Sequence, residues 1–113
     1  MDGSSRGDVR ELLGKAGRMK QLSVLGSTGS IGRNVLRVVE QFPDQFGVRA
    51  LAAHSSVERL AEQVKRFRPS LAVVGGAEAG DRLRALLPPD HGTEIRFGES
   101  GYAEAAALSG VDV

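Results

Sequence analysis

The sequence has no cysteine and no tryptophan, only 4% aromatic residues, and no excess of either charge: 15 basic residues against 14 acidic give a formal net charge of +1. Without cysteine there are no disulfides, thiolate nucleophiles or cysteine-ligated metals, and a reducing compartment is allowed. The charge balance gives no electrostatic reason to expect a nucleic-acid or membrane-surface partner. No apolar run approaches the length of a transmembrane helix. Residues 1–18 lack the apolar centre of a secretory signal, and Asp2, Asp8 and Glu11 argue against an organelle transit peptide. They read as a disordered extension, with Met19 at the start of the folded part.

The whole chain has 113 residues, 41% hydrophobic and 26% charged, the composition of one globular domain. Beyond Met19 the pattern alternates. Leu22, Val24 and Leu25 suggest a buried strand, and Ile31, Val35, Val38, Val39 and Phe42 recur at helical spacing up to Pro43. "VRALAA" (48–53) reads as a second strand. Val57, Leu60, Ala61, Val64 and Phe67 form the apolar face of a second helix, closed by Pro69. Ser55 stands three residues before Glu58, the spacing of a reciprocal capping box. "SLAVVGG" is a third strand, and Leu83, Leu86 and Leu87 mark a short helix before Pro88 and Pro89. "TEIRF" is a fourth strand, and Tyr102 to Leu108 a helix with Gly110 as its stop. "VDV" looks like the start of a fifth strand. Strands alternating with helices predict an α/β, Rossmann-like, doubly wound parallel sheet, truncated at the start of its fifth strand.

The chemistry concentrates in "QLSVLGSTGSIG" (21–32), where Gly26, Gly29 and Gly32 fall in a strand-to-helix turn. In such folds the first glycine permits the turn, the second lets backbone approach a diphosphate, and the third lets helix pack on strand. The following helix N-terminus supplies free amides and partial positive charge, and Thr28 and Ser30 add hydroxyls. No Walker Gly-Lys-Ser/Thr ending follows, which argues against triphosphate hydrolysis. At the end of the second strand, where NAD-binding folds place an acid for the ribose 2′-hydroxyl, stand Ala53, His54, Ser55 and Ser56, with Arg59 one turn on. A 2′-phosphate is repelled by a carboxylate and received by donors, so NADPH is expected over NADH. For His54 two readings stay open, ligand or exposed edge residue. His54 and His91 show no metal-site spacing, and no side chain reads as a catalytic nucleophile or general base. Catalytic and metal-binding residues are therefore expected to be absent from this chain.

"KQLSVLGSTGSIG", "VLRVVEQFPDQFGVRALAA" and "VERLAEQVKRFRPSLAVV" together resemble the N-terminal part of the 1-deoxy-D-xylulose 5-phosphate reductoisomerases, over Lys20 to Val113. Similar glycine spacings occur in aspartate-semialdehyde dehydrogenases and dihydrodipicolinate reductases, but not the whole string. The resemblance implies an NADPH-dependent, cytoplasmic enzyme of non-mevalonate isoprenoid synthesis. It would rearrange 1-deoxy-D-xylulose 5-phosphate and reduce the product to 2-C-methyl-D-erythritol 4-phosphate. It also implies a homodimer and a magnesium or manganese ion held by residues outside this chain. Thr28, Gly29, Ser30 and Ile31 match the family's diphosphate turn. His54, Ser55 and Ser56 fall where many members read Gly-Lys/Arg-Asn, so the usual cation is a serine here and Arg59 is the candidate replacement. Residues 19–113 then form an incomplete NADPH-binding domain, with no activity expected of the piece alone. The alternatives are a stand-alone nucleotide-binding module or another NADP-dependent oxidoreductase, such as a semialdehyde dehydrogenase.

Overall fold

A computed structural model describes residues 20–108 and 111–112; the expectations for residues 1–18 and for Gly110 lie outside the described residues. Five strands, β1 (Lys20–Leu25), β2 (Phe46–Ala52), β3 (Leu71–Val74), β4 (Glu94–Phe97) and β5 (Val111–Asp112), alternate with four helices. These are α1 (Ser30–Gln41), α2 (Val57–Phe67), α3 (Ala77–Leu86) and α4 (Gly98–Ala107). The sheet is parallel throughout, in the order β4-β3-β2-β1-β5.

That order explains where the helices lie. Strands β1 to β4 advance in one direction, so right-handed crossovers deliver α1, α2 and α3 to one face. The next connection returns past β1 to reach β5, which sends α4 to the opposite face. The two apolar clusters divide accordingly. Leu36 and Val39 of α1, Val57, Leu60, Ala61 and Val64 of α2, and Leu83 of α3 pack with Leu22, Val24, Ala72, Val74 and Ile95 of the sheet. On the other side Ala50, Ala52, Leu71 and Val73 meet Ala105 of α4. Small residues set this second contact. A Cβ at Gly101 would come within 2.9 Å of Val73 Cγ1, and buried Ser23 Oγ donates to the Ala105 carbonyl at 2.6 Å.

Strand β2 carries an irregularity that changes which residues face which layer. Its register with β1 shifts between Leu22 and Ser23, pairing with Val48 and Ala50 respectively and leaving Arg49 as the extra residue. Side chains alternate along a strand with period 2, so one inserted residue reverses the parity. Phe46 and Val48 face the α1–α3 layer before the bulge; Leu51 and Ala53 face it afterwards.

Local signals differ from the sequence reading at several points. The apolar face of α1 is built from Leu36 and Val39, with Val35 and Phe42 partly buried, whereas Ile31 is 74% exposed. β2 begins at Phe46 and α4 at Gly98, earlier than expected, and α3 ends at Leu86, whose side chain is exposed while Leu87 is buried. The Ser55–Glu58 capping box does not form. The N-cap of α2 is Ser56, whose carbonyl accepts the first helical bond from Leu60 N, while the Ser55 carbonyl accepts from Val57 N in a tight turn. Glu58 is engaged elsewhere: its carboxylate accepts from its own backbone amide and from Arg82 of α3, which hold its pKa below the usual carboxylate value.

Candidate functional site

The glycine turn leaves the carboxyl end of β1 and enters α1 within four residues, Gly26 to Gly29. Its three glycines are needed for three different reasons. Gly26 has φ +75°, a conformation that disfavours a side chain. Gly32 is a packing requirement: a Cβ there would lie 2.7 Å from Ser27 Cα and collide with the Gly26 carbonyl oxygen. Gly29 answers to neither demand. It is exposed, with φ −80° and ψ 176°, and a Cβ on it would meet only the Gly26 carbonyl oxygen, at 3.4 Å. The fold tolerates alanine at 29. Neither backbone conformation nor packing accounts for the glycine there.

The amides around Gly29 match that reading. Gly26 N and Ser27 N both donate to the Ala52 carbonyl at 2.8 Å, and Gly29 N donates to the Gly26 carbonyl at 3.0 Å. The amides of Thr28, Ser30, Ile31 and Gly32 make no such bond among the described residues. No side chain caps α1, and its first turn holds no acid. The opening of α1 therefore presents uncompensated donors and partial positive charge, the arrangement that receives a phosphate.

All ten candidate residues gather at the carboxyl edge of β1 and β2. Gly26, Thr28, Gly29, Ser30, Ile31 and Gly32 form the turn and the first turn of α1. His54, Ser55 and Ser56 form the exposed loop from β2 to α2, and Arg59 is exposed in the first turn of α2. Arg59 faces a groove of about 540 Å³ between α1 and α2, shared with Arg33, Arg37, Glu40, Gln63 and Arg66. Arg66 pairs with Glu40 and Arg37 bonds Asn34, whereas Arg33 and Arg59 make no ion pair with another described residue. The exposed serine hydroxyls at 55 and 56 cap no helix.

Three contributors escaped the sequence reading. Ser27, fully buried, donates from Oγ to Gln63 Oε1 at 2.6 Å, and Gln63 Nε2 donates to the Ser27 carbonyl at 2.9 Å. Gly75 lies beneath His54: a Cβ at Gly75 would fall 2.7 Å from the imidazole, and Gly75 N donates to the His54 carbonyl at 3.0 Å. The apolar stripe of α2 held the clue to Gln63, which stands beside Val64 and one turn beyond Leu60. No group of three or more His, Asp or Glu residues suited to a metal ion occurs among the described residues. Nor does any described helix have the length and apolarity to cross a membrane.

Comparison with known proteins decides the family. The family model described as 1-deoxy-D-xylulose 5-phosphate reductoisomerase matches residues 22–113. This chain belongs to that family. The reductoisomerase of Desulfosudis oleivorans is 56% identical over 95 residues, covering 84% of this chain and 25% of the relative. That of Chlorobaculum tepidum is 47% identical over 95 residues, with 84% and 25% covered. Among solved structures, the Zymomonas mobilis reductoisomerase in complex with NADPH superposes with a TM-score of 0.75 at 31% identity, covering 82% of this chain and 24% of that one. A reductoisomerase complex with NADPH, fosmidomycin and magnesium gives 0.71 at 29% identity, with 83% and 23% covered. The chain spans about a quarter of the length of the curated relatives it matches. The semialdehyde-dehydrogenase alternative is set aside by this membership.

Proposed function

We propose that this reductoisomerase-family chain forms the NADPH-binding part of a cytoplasmic, homodimeric 1-deoxy-D-xylulose 5-phosphate reductoisomerase. The whole enzyme would rearrange that sugar phosphate and reduce the product to 2-C-methyl-D-erythritol 4-phosphate. The observation that carries the reading is the ring of unpartnered amides at Thr28, Ser30, Ile31 and Gly32 around a glycine that the fold does not itself require. The NADPH complex of the Zymomonas mobilis relative supports the choice of nucleotide.

In this reading the turn amides and the Thr28 and Ser30 hydroxyls hold the diphosphate, and Gly29 keeps the approach open. His54, Ser55, Ser56 and Arg59 surround the 2′-phosphate. Arg59 supplies the positive charge that Ser55 does not, and the absence of a carboxylate at the end of β2 leaves that phosphate unopposed. NADPH, when bound, supplies the hydride for the reduction. A magnesium or manganese ion belongs to parts of the enzyme outside this chain.

Calorimetric titration tests the proposal. The chain should bind NADPH at least tenfold more tightly than NADH, because a charge-assisted phosphate contact adds about 1.5–3 kcal/mol. Equal affinities would refute the 2′-phosphate assignment, and no binding of either nucleotide would refute the reading itself.

A further inference from the structure

We infer that Gln63 is a positioning residue for the nucleotide, acting through the peptide that joins Ser27 to Thr28; the inference rests on the diphosphate reading of the glycine turn. The two Gln63 bonds form a closed pair. Its Nε2 donates to the Ser27 carbonyl at 2.9 Å, and its Oε1 accepts from Ser27 Oγ at 2.6 Å. Only a side chain with one donor and one acceptor in that geometry fills both roles.

A trans peptide is planar, with its C=O and N–H on opposite sides, and no described peptide here is cis. Drawing the Ser27 carbonyl toward α2 therefore turns the Thr28 N–H away from α2. That amide has no partner among the described residues. Backbone bonds from Gly26 N and Ser27 N to the Ala52 carbonyl, and from Gly29 N to the Gly26 carbonyl, fix the residues on either side, but none of them engages the C=O or N–H of the 27–28 peptide itself. Rotation of the 27–28 peptide would point a carbonyl oxygen at the ligand, replacing a donor with an acceptor that a phosphate rejects.

The same residue joins the two ends of the nucleotide site. Arg59 precedes Gln63 by four residues, so both lie on one face of α2, and both line the groove against α1. The helix that carries Arg59 thus sets the direction of a diphosphate donor. Loss of Gln63 should weaken ligands that contain the diphosphate and spare those that reach only the 2′ end.

The test uses Gln63→Ala and Gln63→Glu in the full chain, with NADP⁺ (stable in acid) and adenosine 2′-monophosphate as probes. Folding is checked by circular dichroism. We expect Gln63→Ala to bind NADP⁺ about tenfold more weakly and to bind the monophosphate within twofold of wild type. A protonated carboxyl reproduces both amide bonds, whereas an ionised one loses the donor and faces the Ser27 carbonyl with like charge. Gln63→Glu should therefore bind NADP⁺ poorly at pH 8 and recover toward the wild-type value as the pH falls to 5. The ratio to wild type at each pH removes the titration of the ligand's own phosphate.

Arg33, Arg37 and Glu40 of α1, with Arg59, Glu62, Lys65 and Arg66 of α2, line the same groove, and all are retained in Gln63→Glu as in wild type, so their titration cancels in the ratio. If Gln63→Ala does not fold, the pH series of Gln63→Glu decides alone. Variants that bind NADP⁺ like wild type at every pH overturn the inference while leaving the nucleotide reading intact. A wild-type chain that binds neither probe overturns both.

Discussion

Replacing Gly29 by alanine separates what the fold needs from what the ligand needs. Two small terms act on stability and oppose each other. Alanine is a poorer N-cap than glycine, at a cost of about 0.5–1 kcal/mol. It also restricts the unfolded chain, which contributes about 0.4–1 kcal/mol in the other direction where φ is already negative. Gly29 has φ −80°, and the new methyl would meet only a carbonyl oxygen at 3.4 Å. The sum is within about 1 kcal/mol of zero, or at most about 4–8 °C in Tm.

Binding behaves differently. A methyl group over the exposed turn holds the phosphate off at least one amide, and a charge-assisted bond is worth about 1.5–3 kcal/mol, or roughly ten- to 150-fold in affinity. Gly32→Ala is the control. Its Cβ would lie 2.7 Å from Ser27 Cα, so backbone must move, and destabilisation of about 1–3 kcal/mol follows whether or not nucleotide is present. Thermal melts by circular dichroism, paired with calorimetric NADPH titrations, read both quantities. A Gly29→Ala chain that binds NADPH as wild type does, or that melts as low as Gly32→Ala, would refute the reasoning.

Arg59→Ala should weaken NADPH about tenfold or more at low ionic strength, leave NADH unchanged, and lose that difference as salt is raised; titrations at two salt concentrations check it. Ile31→Ala, at a position 74% exposed, should change stability by no more than about 0.5 kcal/mol. Leu36→Ala, at a buried position, should cost about 2–5 kcal/mol in urea unfolding. Glu58 has a pKa lowered in the fold, so its contribution to stability is present above its unfolded pKa and is lost as pH falls through the folded value. Arg82→Ala should raise that pKa only part of the way, because the bond from the Glu58 backbone amide, the largest single cause, remains; a carboxyl-carbon NMR titration reads the shift.

The alternation of strands and helices was legible because its punctuation is covalent: Pro43 and Pro69 cannot extend a helix, and the glycines of 26–32 cannot be mistaken for strand. The second apolar stripe was legible, since Val57, Leu60, Ala61 and Val64 are buried and Phe67 is partly buried against the same core. What sequence periodicity could not give was the placement of Leu51 and Ala53. The Arg49 bulge reverses the parity of β2, and only pairing with β1 reveals the extra residue.

Tertiary competition explains two further differences. Ser55 and Glu58 have capping-box spacing, but Arg82 arrives from α3 to engage the carboxylate, and Ser56 becomes the cap. Ile31 fits the helical repeat of α1, yet that helix turns Gly32, Leu36 and Val39 inward and leaves Ile31 facing outward. The candidate site was legible at the glycines of the β1–α1 turn, but not at Gly75, whose contact with His54 joins two separate loops. It was not legible at Ser27 and Gln63, whose pairing joins residues 36 apart in the chain.

The most direct test of the central claim is an amide-resolved NMR titration of the ¹⁵N-labelled chain with NADPH. The Thr28, Ser30, Ile31 and Gly32 amides should show the largest downfield proton shifts, those of amides that acquire a charged acceptor. Silence at those four amides, with the ligand's effects confined to residues away from the carboxyl edge of β1, would contradict it.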